Sequence, residues 1–271
     1  MPLLTQPDGA EIDWQESGNG ASVLVANLLH GYPGMVSGLV ADLSADHRVI
    51  TYDLRGTGGS SRRGPYDVET DIADLESLLE HVGGVSVSVS LADASLRAVR
   101  IAAARPDLME AVVAPGTHVL AAAAAVGTDA LTASGSVLKA MVKLLETDYR
   151  AGIRSMVDGA NPTLSEEEIR DRVTAVVEHA SQESVVGRVR AWIRDDATEA
   201  ARALGDRLWV LDYPGNPWFP PSLAERMPEV LPEANYVSVE DGPMTRPDLT
   251  AGIVRGITGA KAASKTSRFQ A

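Results

Sequence analysis

No cysteine occurs among the 271 residues, which excludes disulfides, thiolate metal sites and a cysteine nucleophile together. Phenylalanine is limited to two residues, and lysine is sparse beside abundant alanine, valine and arginine, the balance of a GC-rich genome such as an actinobacterium's. No apolar run reaches the roughly 18 residues of a membrane span, and Met1 to Trp14 lacks a charged start followed by an apolar stretch. The expectation is a cytoplasmic chain with no membrane partner. A formal net charge of −13 repels a phosphate backbone, and the basic residues are scattered rather than clustered, so nucleic acid is not an expected partner. No H-x-x-x-H or His–carboxylate ligand spacing occurs, and no G-x-G-x-x-G opens a helix after a strand. Gly56, Gly58 and Gly59 do not make a phosphate cradle, so neither metal nor cofactor is implied.

What is present is 45% hydrophobic content, enough for a full core in one α/β domain carrying an inserted subdomain. Asp8-Gly9 marks a hairpin turn, so two short antiparallel strands open the sheet. Ser22 to Leu29 reads as a strand buried on both faces and ends at His30-Gly31. A helix over Met35 to Ser44, a strand over Arg48 to Tyr52 and a helix over Val68 to His81 follow. That last helix carries Ile72, Leu75, Leu78 and Leu79 at helical spacing. Val85 to Val89 alternates valine and serine. The helix Ala94 to Ala104 stops at Arg105-Pro106, where proline disfavours continuation, and Met109 to Ala114 is the next strand. Alternating strand and helix imply a largely parallel sheet. From Leu120 to about Leu204 helical segments replace that rhythm, one of them opened by a capping box at Ser165 and Glu168. The rhythm returns with Arg207 to Leu211, Leu223 to Val230, Tyr236 to Val239 and Pro247 to Ile257. The division expected is a core of residues 1–119 and 205–259, a helical lid of 120–204, and a disordered tail of 260–271.

Three segments in order, His30-Gly31-Tyr32-Pro33-Gly34, Asp53-Leu54-Arg55-Gly56-Thr57-Gly58-Gly59-Ser60 and Ala103-Ala104-Arg105-Pro106-Asp107, resemble the α/β-hydrolase superfamily in its haloperoxidase, esterase and epoxide-hydrolase branches. The resemblance implies an α/β fold, a mostly parallel, twisted, eight-stranded sheet flanked by helices, with a helical cap insertion. It implies an oxyanion-hole N–H at Tyr32, a second on the residue after the nucleophile, and the nucleophile itself in G-x-S-x-G on a tight strand-to-helix elbow. This sequence contains no G-x-S-x-G. Counting back about fourteen residues from Pro106, as the family spacing implies, puts Ala92 at the elbow, flanked by small Ser90 and Ala94. A shift by one makes Asp93 the nucleophile but crowds Leu91. The family's acid position matches Asn216, and its histidine position matches Pro243 in Glu240-Asp241-Gly242-Pro243-Met244. No histidine follows His179.

On this reading the triad positions are Ala92, Asn216 and Pro243, none with its catalytic side chain, while the backbone donors of Tyr32 and Asp93 persist. Such a site suits enolate or phenolate intermediates without covalent attack. The expectation is a non-hydrolytic tailoring enzyme, a cyclase or lyase of polyketide type or a C–C bond-forming enzyme. A hydrolase using Asp93 as nucleophile and a non-catalytic binder stay open beside it. Asp93 is either a general base or a helix cap. His118, after a strand's carboxyl end, is acid, base or orienting donor, or a surface histidine. His30 shapes the oxyanion turn or moves a proton. Tyr32, Tyr149, Trp192, Trp218 and Phe219 are the aromatic set for a pocket wall holding an apolar or aromatic small molecule, with core packing as the alternative. Asn216 either bonds a substrate carbonyl or holds its turn. Asp53, Arg55 and Ser60 are read as structural. The oligomeric state is open, a dimer included.

Overall fold

A computed structural model describes residues 2–115, 139–161, 164–213 and 227–267. The hairpin expected at Asp8-Gly9 is there: β1 (Leu3–Thr5) and β2 (Glu11–Ser17) pair antiparallel. Gly9 takes φ 82°, and the Asp8 carboxylate accepts the Ala10 N–H at 3.0 Å, as an Asx turn requires. β3 (Ala21–Ala26) is shorter than the apolar run implied. Asn27 ends it, accepting the Leu28 N–H and donating to the Tyr32 carbonyl, both at 3.0 Å. The remaining apolar residue Leu29 is buried among the helices between β6 and β7 instead of in the sheet.

A 3₁₀ turn (Pro33–Met35) precedes α1 (Ser37–Leu43), where the sequence implied one helix. β4 (His47–Tyr52) then pairs parallel with β3 and antiparallel with β2. α2 (Val68–Val82) starts at an Asp67 cap that accepts the Thr70 N–H and stops at Gly83 in the left-handed region. β5 (Val85–Ser90) leads into α3 (Ala94–Ala104), whose bounds are those read from the sequence, and β6 (Met109–Pro115) follows. Beyond a helical stretch at 139–147 come α4 (Tyr149–Ala160), α5 (Glu166–His179) with the Ser165–Glu168 capping box in place, α6 (Gln182–Trp192) and α7 (Thr198–Leu204). β7 (Leu208–Asp212), β8 (Asn235–Ser238) and α8 (Pro247–Ser267) complete the order.

The eight strands run β1-β2-β4-β3-β5-β6-β7-β8, parallel from β4 onward. Side-chain alternation divides the core. Leu24, Ile50, Val112 and Val210 face α2, α3 and α7, whereas Val23, Val25, Val87 and Val113 face α1 and α8. A separate apolar cluster joins α4, α5 and α6 and takes in Leu29. α7 lies inside the expected lid range, yet its Ala201 and Leu204 pack with the main core. The stretch 260–271, expected to be disordered, continues α8 as far as Ser267. Its alanines and lysines favour helix, and no proline or glycine interrupts them. Among the described residues no helix is long and apolar enough to cross a membrane.

Leu78 on α2 is completely buried against the sheet. Leu78→Ala is expected to cost about 2–5 kcal/mol through lost burial and a residual cavity, read as a lowered urea midpoint with an unchanged slope.

Candidate active site at the β5–α3 elbow

The chain reverses between β5 and α3 within three residues. Leu91 still bonds the sheet through its N–H to the Ala26 carbonyl at 3.0 Å, and Ala94 already donates to the Leu91 carbonyl at 2.9 Å. Ala92 absorbs the turn with φ 46°, the one non-glycine residue at positive φ among the described residues. Its backbone is held by Ser95, whose hydroxyl donates to the Ala92 carbonyl at 2.6 Å and the Ser90 carbonyl at 3.1 Å. Small, buried Ser90 and Ala94 on either side allow the close passage, while Ala92 itself stays partly exposed. The elbow geometry thus falls on the residue that the count from Pro106 selected.

The loop after β3 lies against this elbow. Leu29 donates its N–H to Asp93 Oδ1 at 2.9 Å, and Asn27 holds the Tyr32 carbonyl. Gly31 passes so close to Asn27 that a Cβ would sit 2.2 Å from its side chain. The N–H groups of Tyr32 and Asp93 find no acceptor among the described residues, and that of Asp93 stands at the α3 N-terminus.

Asp93 occupies the N-cap position of α3. Its side chain makes no cap bond to α3; Oδ1 takes Leu29, and Oδ2 takes Arg97 Nη1 at 2.9 Å. The carboxylate is therefore committed on both oxygens. Arg97 Nη1 also lies 3.8 Å from Asp71 Oδ2. Asp71 is gripped in turn by Arg188 of α6 through Nε and Nη2, both at 2.7 Å. None of these four side chains exceeds 7% exposure. Arg188 Nη1 reaches the Arg55 carbonyl at 2.7 Å, and Arg55 clasps buried Asp74 at 2.6 and 2.7 Å. The periodicity of α2 carried a missed signal: Asp71 and Asp74 share the stripe of Leu75 and Leu78, so each needed a buried cation.

His30 is largely enclosed, and its Nδ1 is buried without a partner. Burial pulls the imidazole down to about 4, opposed by the Asp93 carboxylate, so the ring is neutral at neutral pH. The expected histidine position, Pro243, is buried in a turn closed by Gly242, whose carbonyl accepts the N–H groups of Thr245 and Arg246. Tyr213 packs on that turn, 3.1 Å from where a Gly242 Cβ would be. Burial, then Asp241 and Asp212, push its phenol up to about 12.

The aromatic set divides. Tyr149 donates its hydroxyl to the Ala180 carbonyl at 2.8 Å and packs in the cluster of α4–α6, whereas Trp192 packs on the main core. Trp192 also borders a cleft whose lining mixes Val68, Leu96 and Ala191 with the charged residues Asp71, Asp93, Arg97, Arg188 and Asp195. Tyr32 packs against the cluster of α4–α6, next to the loop donor. His118, Asn216, Trp218 and Phe219 lie outside the described residues. The loop of Asp53, Arg55 and Ser60 docks the inter-strand helices: Gly58 N–H bonds the His179 carbonyl, Ser181 N–H bonds the Gly56 carbonyl, and Asp53 faces His179 at 3.3 Å. Among the described residues no group of three or more histidine, aspartate or glutamate side chains is placed to hold a metal ion.

Sheet order and elbow together define an α/β protein of hydrolase architecture. The chain belongs to the alpha/beta hydrolase family, whose model matches residues 28–252. Over 88 residues it is 38% identical to a Synechocystis protein named "Putative non-heme chloroperoxidase", covering 29% of this chain and 31% of that protein, so the match spans under a third of this curated relative. Solved structures resemble it over nearly the whole chain. An enol-lactonase from Burkholderia xenovorans has TM-score 0.71 and 20% identity, covering 95% of this chain and 100% of that one. A bromoperoxidase from Bacillus anthracis has TM-score 0.70 and 19% identity, covering 94% and 96%. A thermophilic esterase from Thermogutta terrifontis has TM-score 0.72 and 23% identity, also covering 94% and 96%. At these identities the structural likeness establishes the fold.

Two outcomes follow. Ala92→Gly relieves a left-handed backbone and is expected to raise stability by up to about 1 kcal/mol, seen as a higher urea midpoint. His30, with its folded value of about 4 against an ordinary 6.5, contributes stability that is complete above pH 6.5 and declines as pH falls towards 4, because the unfolded chain binds the proton first. His30→Gln is expected to flatten the fall in unfolding free energy between those pH values; an unchanged slope would rule out His30 as its source.

Proposed function

We propose that the protein is a non-hydrolytic enzyme of the hydrolase fold, in which two backbone donors stabilise an enolate or phenolate without covalent attack. The observation that carries this reading is Ala92 in the elbow geometry, with the Tyr32 and Asp93 N–H groups bonded to no acceptor among the described residues. A methyl group cannot attack a carbonyl, and no histidine follows His179 in the chain. A serine–histidine relay of the usual chain order thus lacks both its nucleophile and its base. Developing negative charge on a bound oxygen still meets fixed donors and the α3 N-terminus. The neutral His30 imidazole next to Asp93 is the group proposed to donate to, or orient, the reacting oxygen, in the manner of an uncharged electrophilic imidazole.

This supports decarboxylation, retro-aldol cleavage, elimination or ring closure of an apolar or aromatic small molecule in a cytoplasmic setting, with polyketide-type intermediates as the substrate class. That the Burkholderia structure is an enol-lactonase fits a fold that accommodates enol-derived oxygen. Hydrolysis through Asp93 is the weaker reading, because that carboxylate already holds Leu29 and Arg97.

The test uses 4-nitrophenol, whose phenolate absorbs apart from the phenol. The bound probe is expected to ionise at least one pH unit below the free probe, since the site prefers the anion by about tenfold or more. Intact-mass analysis after treatment with a serine-directed phosphonate is expected to show no addition. Stoichiometric labelling, or a bound phenol with unchanged titration, would overturn the proposal.

A further inference from the structure

The four buried charges do more than satisfy one another in pairs, because two carboxylates compete for one cation. Arg97 Nη1 lies 2.9 Å from Asp93 and 3.8 Å from Asp71. Asp71 does not draw Arg97 closer because Arg188, on a different part of the chain, already fills both of its oxygens at 2.7 Å. Arg97 is therefore left to Asp93, and Asp93 is left to hold the Leu29 N–H at 2.9 Å. Leu29 belongs to the loop that presents the Tyr32 donor, and its side chain is buried among the same helices that carry Arg188.

We propose that Arg188 is a positioning residue for the oxyanion loop: by saturating Asp71 it reserves Arg97 for Asp93, and Asp93 then fixes Leu29. Seating of α6 is thereby coupled to the geometry of the two backbone donors. When α6 lifts, Asp71 loses its cation in a site of low polarity, where an uncompensated charge is strongly disfavoured. Arg97 has the shortest path to replace it. The move from Asp93 towards Asp71 frees the Asp93 carboxylate and releases the loop. The links are contiguous contacts with two alternative pairings. The inference rests on the proposed function only in naming the donors as the working part.

The experiment needs no substrate. Since the chain has no cysteine, Ala92→Cys places a single thiol at the elbow, whose alkylation by iodoacetamide across pH reports the local field of the donors and α3. Hydrogen exchange of the Leu29 amide reports the loop. In that background Arg188→Met is expected to speed Leu29 exchange at least tenfold and to move the alkylation profile to higher pH. Arg100→Met is the comparator. It breaks the Arg100–Asp195 pair, which ties α3 to the chain just beyond α6 without touching Asp93, and it is expected to leave both readouts within twofold.

The decisive variant is Arg188→Met combined with Asp71→Asn. Removing the competing carboxylate returns Arg97 to Asp93, so Leu29 protection is expected to recover to within about threefold of the parent. General loosening predicts the double variant to be no better than the single one, and that result, or equal effects from Arg100→Met, would overturn the proposal. If Arg188→Met does not fold, Arg188→Lys, which keeps the charge but loses the two-pronged grip, carries the same comparison with and without Asp71→Asn. These readouts are independent of 4-nitrophenol binding, so either proposal can fail alone.

Discussion

The reversal at Ala92 is the constraint from which the site follows. A central strand, bonded on both sides to β3 and β6, must pass directly into a helix packed on the same sheet, and only a left-handed residue achieves this within three positions. The strain is held by bonds from Leu91 and Ser95, in a frame of small side chains. The same turn leaves the Asp93 N–H without an intrahelical partner and brings it beside the β3 loop. On the proposed reading, the bend presents backbone donors around a residue that carries only a methyl group.

Around this bend the molecule accepts a costly arrangement. Arg97, Arg188, Asp71 and Asp93 are removed from water together, with Arg55 and Asp74 alongside. Well-packed apolar residues often stabilise a core more than such groups do, so the network is better understood as specifying one relative placement of α2, α3 and α6. Arg97 Nε and Nη2 are buried with no hydrogen bond of normal geometry among the described residues. The pairing is thus incomplete, which keeps an alternative arrangement within reach.

Much of the framework was legible because it depends on local chemistry. The Asp8-Gly9 hairpin, the capping box at Ser165 and the stop of α3 before Pro106 each follow from backbone preferences confined to a few residues. The elbow position was legible from spacing and side-chain size. What escaped the sequence depends on contacts far apart in the chain. The burial of Asp71 depends on Arg188, 117 positions away, which no local pattern on the helix reveals. Leu29 read as strand because its hydrophobicity does not say which core it enters. Asp93 illustrates the limit well: its position was read correctly, but its role depends on Leu29 and Arg97, which no local pattern joins to it.

The inter-strand helices meet the glycine-rich loop through backbone and side chains: Gly58 to His179, Ser181 to Gly56 and the bridge of Thr57 with Ala180 use main chain alone, while the side chains of Arg62, Ser184 and Arg188 reach the His179, Gly56 and Arg55 carbonyls. A main-chain rung reads backbone path rather than side-chain identity. The seam between core and inserted helices is thus set in part by chain path, so side-chain changes there leave its backbone rungs in place.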